Sequence, residues 1–348
     1  MSTALFIKLR IIQIIQETVD TKSFVLESVG ENELSYKAGQ FLTFVFYHFN
    51  GEEVRRSYSI SSSPELNEAL TITVKRIPNG EFSRWFIDKA EVGNILTTTG
   101  ASGFFTLPEP VEKFKQYVFI AAGSGITPVY SVIKTLLNKH PFARVILIYS
   151  NTSSGTTIFY TALKSLQSAF YDRLQIEFLF SKSGDLWRAR LSFSLLEMLI
   201  KEYVKDPLNK TIFYLCGPYN YMQKAIIELK REGVLAENIR KENFLTTKPV
   251  LRNRPPDLNV HQVTLRRNGQ QYQFNVQYPV SILRQAKMEG IELPYSCEAG
   301  RCGSCAVTCK SGKVWMQNNE VLLDEEIEKG RVLTCTGFPI DGDVVLDY

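Results

Sequence analysis

Four cysteines near the C-terminus constrain this chain more than any other feature. The stretch SCEAGRCGSCAVTC separates Cys297, Cys302 and Cys305 by four and then two residues, and Cys335 follows after a gap of twenty-nine. Two irons bridged by two sulfides need two thiolates each, and a C-x4-C-x2-C loop with one distant cysteine supplies them, so the spacing predicts a [2Fe-2S] cluster. Gly300 and Gly303 let such a loop curl tightly enough to turn its amides toward cluster sulfurs. The competing readings are a zinc site and a set of buried thiols. Zinc usually takes ligands as two CxxC-type knuckles, and only one tight pair exists here. Cys309 falls outside the spacing and reads as a buried thiol.

The cluster loop is a small part of 348 residues, too many for one compact core, so two or three domains are expected. Hydrophobic residues at 44% and charged residues at 22% are ordinary globular values. No apolar run approaches the ~20 residues that cross a bilayer, and Lys8 and Arg10 interrupt the apolar start. Neither membrane insertion nor export is expected. The six cysteines then belong in a reducing compartment, the cytoplasm by default, where cysteine clusters bind metal. Net charge is +4 with acidic and basic residues interleaved, which argues against nucleic acid. Residues 260–348 hold 9 Lys/Arg against 11 Asp/Glu, leaving 31 against 25 before them.

From Leu5 to about Leu107 the chain alternates short β-rich runs such as FLTFVFY and LTITVKR with Gly, Pro, Asn and Ser turns, around a helix-like FSRWFIDK. This reads as an antiparallel barrel or sandwich. From Gln116 apolar strands (YVFIAAG, RVILIYS, LQIEFLF, TIFYLCG) alternate with helical stretches, the pattern of a parallel sheet with crossover helices. TTKPVLRNRPPDLN, with three prolines and little apolar content, reads as a linker. Beyond it, QVTLRRNGQQYQFNV reads as a hairpin turning at Asn268-Gly269, and VSILRQAKMEG as a helix ended by Gly290. The expected division is 1–108, 109–245, a linker over 246–259, and 260–348.

Two motifs carry further chemistry. Arg56-Ser57-Tyr58-Ser59 closes a β run and sets an aromatic ring and hydroxyls beside a permanent cation, a set that suits a flavin, although a strand tyrosine is usually only packed. Its partner Gly80-Glu81-Phe82-Ser83 opens the predicted helix, where free amides and Ser83 can hold a pyrophosphate. Gly123-Ser124-Gly125-Ile126-Thr127-Pro128 lies between strand and helix, where small residues admit a dinucleotide and proline fits the first turn. Such a glycine turn can also be purely architectural.

Taken in order, RSYS, GEFS, GSGITP, Cys216-Gly217-Pro218 and the Glu242-Asn243-Phe244 ending resemble the ferredoxin-NADP reductase superfamily. With a plant-type [2Fe-2S] ferredoxin domain at the C-terminus, the whole chain looks most like the reductase components of bacterial oxygenases, of the phenylacetyl-CoA epoxidase and ketosteroid hydroxylase type. The resemblance implies a multidomain fold: an antiparallel β-barrel for FAD, an α/β parallel-sheet domain for NAD(P)H, and an α+β β-grasp ferredoxin domain. It implies that Arg56, Ser57, Tyr58 and Ser59 hold the flavin beside the backbone of Thr73, Val74 and Lys75. Gly80, Phe82 and Ser83 would take the FAD pyrophosphate region. Gly123, Gly125, Ile126, Thr127, Pro128, Cys216, Gly217 and Pro218 would serve the nicotinamide nucleotide, with Ser59, Thr127 and Cys216 nearest the hydride. No carboxylate lies between Tyr149 and Tyr171 to grip an NADH ribose, and Thr152 precedes Ser153 where relatives preferring NADPH often carry Arg. Arg188 and Arg190 can reach a 2'-phosphate or stay solvated, so the donor is read as NAD(P)H.

The implied reaction passes electrons from NAD(P)H to FAD to the cluster and on to an oxygenase component or another protein acceptor, which docks near Glu298 and Arg301. His48, His140 and His261 need no catalytic part, because the cofactors carry the chemistry. A stand-alone NAD(P)H diaphorase or quinone or electron-carrier reductase, a redox-responsive regulator, and a zinc-stabilised binding protein are the alternatives.

Overall fold

The computed structural model describes residues 6–30, 34–245, 253–267 and 269–348, and its strands fall into three sheets. The β-rich runs of the first third form β1 (Ile7–Thr18), β2 (Thr21–Ser28), β3 (Phe41–Tyr47), β4 (Glu53–Ser59), β5 (Thr71–Lys75) and β6 (Ile95–Ser102), with one helix, α1 (Glu81–Asp88). Their order is β4-β3-β6-β1-β2-β5, with antiparallel pairing throughout. Just past β4, Ile60 bridges to Ile72 of β5, which joins the two edges and closes the sheet into a barrel. Leu9, Phe24, Leu42, Phe44 and Ile72 fill it together with Phe86 of α1.

The second sheet holds β7 (Gln116–Ala122), β8 (Arg144–Asn151), β9 (Leu174–Phe180), β10 (Thr211–Cys216) and β11 (Ile239–Glu242), all parallel, in the order β11-β10-β7-β8-β9. The strands are apolar along their whole length because helices cover both faces. α2 (Ile126–Lys139) and α3 (Tyr160–Ala169) pack on one side, α4 (Phe193–Tyr203) and α5 (Tyr219–Arg231) on the other. β7 lies between β8 and β10, so the winding reverses there and a crevice opens at the carboxyl ends of β7 and β10. GSGITP follows β7 and Cys216-Gly217-Pro218 follows β10, one on each side of it.

The third sheet joins β12 (His261–Arg267), β13 (Gln270–Val276), β14 (Ala306–Met316), β15 (Arg331–Leu333) and β16 (Gly337–Asp347) in the order β13-β12-β16-β14-β15. β12 and β16 are parallel and the other neighbours antiparallel. α6 (Ile282–Met288), capped by the Ser281 hydroxyl, lays Ile282, Leu283 and Ala286 across this sheet in the β-grasp manner, and a short α7 (Asp324–Glu328) precedes β15. β12 and β13 form the expected hairpin; Asn268 lies outside the described residues and Gly269 is left-handed at φ +77°. Half of the expected linker also lies outside them. Its remainder is tied to the third sheet: Gln317 donates to the Asn253 carbonyl at 2.7 Å, and Asp257 pairs with His261. Among the described residues no helix is long and apolar enough to cross a membrane.

Candidate functional site

The crevice is built from strand ends. Gly123 takes a left-handed φ of +54°, and the Tyr149 hydroxyl of β8 braces the turn by donating to its carbonyl at 2.9 Å. A Cβ on Gly125 would lie 2.0 Å from the Cys216 carbonyl oxygen, so glycine is required here by the contact between the two strand ends. Gly217 meets Ala122 the same way at 3.1 Å, and Pro218 stands immediately before α5. Ile126, Thr127 and Pro128 are buried in the first turn of α2. Thr127 is 2% exposed and its Oγ1 has no partner, which leaves a buried hydroxyl facing the crevice for a ligand to satisfy. Cys216 is fully buried, in register with Ala121 on one side and Glu242 on the other. Burial and the nearby Glu242 carboxylate push its thiol well up.

Side chains alternate across β4, and the RSYS motif divides accordingly. Arg56 and Tyr58 face α1. The Tyr58 ring packs edge-on against Phe86 at 5.0 Å, and the Arg56 guanidinium lies 5.7 Å from the Phe82 ring while donating to the Arg55 carbonyl at 2.8 Å. Ser57 and Ser59 face the other two sheets. Ser59 donates to Glu242 Oε1 at 2.6 Å; Glu242 Oε2 has no partner, and burial pushes this carboxyl up to about 8. Thr127 Oγ1 and Glu242 Oε2 are thus buried polar oxygens without a partner, at or just past the ends of the strands that flank β10. On β5, Thr73 shares a hydrogen bond with Ser23 at 2.8 Å and donates to Ser61 at 2.9 Å, Val74 is buried, and Lys75 lies 3.5 Å from Asp20. Phe82 stacks on Phe46 at 4.3 Å, and Ser83 donates to the Gly80 carbonyl at 3.1 Å, so its hydroxyl is already engaged within its own loop.

Cys297, Cys302 and Cys305 lie on the loop between α6 and β14, and Cys335 in the turn after β15. The four thiols lie near one another: Cys297 interacts with Cys302 and Cys305 with Cys335, and the two pairs also affect each other's titration. Four thiols grouped as two pairs suit two metal atoms that each take one pair. The amides of Ala299 and Arg301 donate to Cys297 Sγ at 3.4 and 3.5 Å. Glu298, Gly300 and Gly303 are all left-handed, and a Cβ on Gly300 would strike the Asn318 carbonyl oxygen at 2.3 Å.

The loop lies against the first sheet. Ser296 shares a hydrogen bond with Ser57 at 2.7 Å, and Ser304 with Ser102 at 3.2 Å. Arg301 is only 9% exposed at its side chain and pairs with Glu320, which also accepts from Asn243. Glu298 pairs with Lys287 at 2.8 Å and stays partly exposed. Arg188 pairs with Glu177 at 2.5 Å, and Arg190 is exposed. His140 and His261 pair with Glu112 and Asp257, and His48 pairs with Glu81 at 3.0 Å beside the Phe82 ring of the GEFS motif. Glu242, Tyr149 and Ser296 are not among the residues that the sequence motifs place at the site. Only the sheet order, which sets Glu242 beside Cys216, reveals the first of them.

Three family descriptions match the chain: an oxidoreductase FAD-binding domain over 8–107, an oxidoreductase NAD-binding domain over 119–226, and a 2Fe-2S iron-sulfur cluster binding domain over 265–339. The chain is 33% identical to a component of the 1,2-phenylacetyl-CoA epoxidase of Escherichia coli K12, covering 99% of this chain and 98% of that protein. It is 30% identical to the ferredoxin reductase component of 3-ketosteroid-9-alpha-monooxygenase from Mycolicibacterium smegmatis, covering 98% and 97%. Among solved structures it resembles phthalate dioxygenase reductase with a TM-score of 0.59 at 25% identity, covering 99% of this chain and 98% of that one.

Proposed function

The chain belongs to the family of oxygenase reductase components that join FAD-binding, NAD-binding and 2Fe-2S domains, and on that premise we propose that it carries electrons from NAD(P)H through FAD and the cluster to an oxygenase partner. It is an oxidoreductase. Flavin, when bound, takes two electrons together as hydride and releases them one at a time, which a one-electron iron centre requires. The chain supplies position and electrostatics. Arg56, Tyr58 and Ser59 hold the flavin beside Thr73–Lys75, and Gly80, Phe82 and Ser83 take its pyrophosphate end. Gly123, Gly125, Ile126, Pro128, Gly217 and Pro218 shape the nicotinamide side, with Thr127 at the junction and Cys216 behind it. Glu242 keeps its proton near neutral pH while its Oε1 accepts from the Ser59 hydroxyl. Cys297, Cys302, Cys305 and Cys335 hold the two irons.

The observation that carries this reading is the hydrogen bond between Ser57 of RSYS and Ser296, the residue before the first cluster ligand, because it sets the flavin motif and the cluster loop side by side. The acceptor docks beside the cluster loop, where Glu298 is partly exposed and Arg301 is turned inward on Glu320. The reducing cytoplasm suits four thiolates. Anaerobic titration of the purified protein with NADH and separately with NADPH, followed by its visible spectrum, tests the reading. Bleaching of both flavin and cluster bands is expected. A flavin that bleaches beside a cluster that stays oxidised contradicts it.

A further inference from the structure

Arg55 sits next to Arg56 on β4 but points the opposite way, with 5% of its side chain exposed. Its guanidinium carbon lies 3.7 Å from the centroid of the Tyr295 ring. Its Nε donates to Glu53 Oε1 at 2.7 Å, and the Tyr295 hydroxyl donates to the same oxygen at 3.0 Å. Its Nη1 reaches the Leu293 carbonyl at 3.5 Å, and Lys287 Nζ lies 4.0 Å from the same ring centroid. Guanidinium, carboxylate and phenol thus close a triangle across two sheets. Tyr295 and Ser296 directly precede Cys297, and both are tied to the same side of β4, to Arg55 and Ser57 respectively.

We propose that Arg55, Glu53 and Tyr295 form a positioning clamp for electron transfer from flavin to cluster, fixing how closely the cluster loop approaches the barrel. This rests on the relay described above. Transfer between centres weakens steeply with separation, so a loop displaced by a fraction of its own width loses rate without losing either cofactor. The other contacts along this seam are the hydroxyl pairs Ser57–Ser296 and Ser102–Ser304, individually weak, and the Phe104 ring packed beside Gly303 and Cys305, which is apolar and tolerant of direction. A planar guanidinium stacked on a ring and bonded edge-on to a carboxylate fixes both distance and angle, which an ammonium cannot reproduce. The contacts that Arg55 makes across the seam, to the Tyr295 ring and the Leu293 carbonyl, are lost together if the loop moves off, while its bond to Glu53 stays within β4.

The test uses the holoprotein with Arg55→Leu, Arg55→Lys and Tyr295→Phe, mixed rapidly with NAD(P)H under anaerobic conditions. Flavin bleaching should keep its wild-type rate in all three. Cluster reduction should slow by about tenfold or more in both Arg55 variants, as expected for misplacement of a reacting group, and by less in Tyr295→Phe, which keeps the ring and loses only the bond to Glu53. FAD and iron content and the electron paramagnetic resonance signal of the dithionite-reduced cluster should be unchanged. Hydrogen exchange over residues 293–297 should rise in the Arg55 variants, a readout that needs no turnover. Wild-type cluster reduction with unchanged exchange in Arg55→Lys overturns the proposal, as does an altered cluster signal, which would place Arg55 in the cluster's own environment. If the wild-type cluster never takes electrons from the flavin, the relay is what fails, and the exchange measurement decides the clamp alone.

Discussion

Ser59 and Glu242 meet at 2.6 Å although 183 positions separate them, and one carboxyl oxygen remains buried without a partner. Burial raises this carboxyl from the ordinary 4.5 to about 8. In the unfolded chain it loses its proton near 4.5, while the folded chain keeps it to about 8, so its contribution to stability is complete below the lower value and is lost as pH rises through the upper one. Glu242→Gln should therefore gain in melting temperature relative to wild type between pH 5 and 9, and a difference that stays flat across that range rules out the raised value. Arg56 is tested differently. Arg56→Ala should purify with substoichiometric FAD, and a full complement of flavin would remove Arg56 from the site. At this scale the cysteines were legible because three ligands share one short loop and spacing alone encodes them. Glu242 was visible as part of an ending but not as a site residue, because its neighbour is chosen by strand order. Nor could spacing reveal that Arg301 turns inward to Glu320.

The elements place GSGITP and the Cys216 turn at the one point where the parallel sheet reverses its winding, and the alternation of apolar strands with helices was enough to anticipate that sheet. The reason for glycine was not. A sequence reading assigns Gly125 to the approach of a dinucleotide, yet its missing Cβ is already accounted for by the Cys216 carbonyl 2.0 Å from where it would sit. Gly125→Ala should cost about 1–3 kcal/mol of stability through overpacking, measured by denaturant unfolding of the flavin-free protein. Unchanged stability together with weakened NAD(P)H binding would return the residue to a purely ligand-directed role. The RSYS strand was legible as a motif, but not its two-sidedness: Arg56 and Tyr58 face the helix beside the barrel, while Arg55, Ser57 and Ser59 face the other sheets. Alternation along a strand predicts the split, and only the docked neighbours give each side its meaning.

Across the whole molecule, three sheets that the sequence marks by three different rhythms meet at β4, which bonds to Glu242 of β11 through Ser59 and to the cluster loop through Ser57, while Asn243 past β11 donates to Glu320 of the third domain. The linker reading captured the poor core content of 246–259, while residues 253–259 pack onto the third sheet through Asn253 and Asp257, contacts made by ordinary polar residues with no local signature. On the proposed reading, this junction sets the flavin motif between the nucleotide sheet and the cluster loop. Rapid anaerobic mixing of the Cys302→Ser holoprotein with NAD(P)H tests that order most directly. The account predicts a protein without the cluster whose flavin is still reduced at the wild-type rate and then holds its electrons. Loss of flavin reduction along with the cluster, in protein that retains its FAD, would contradict it.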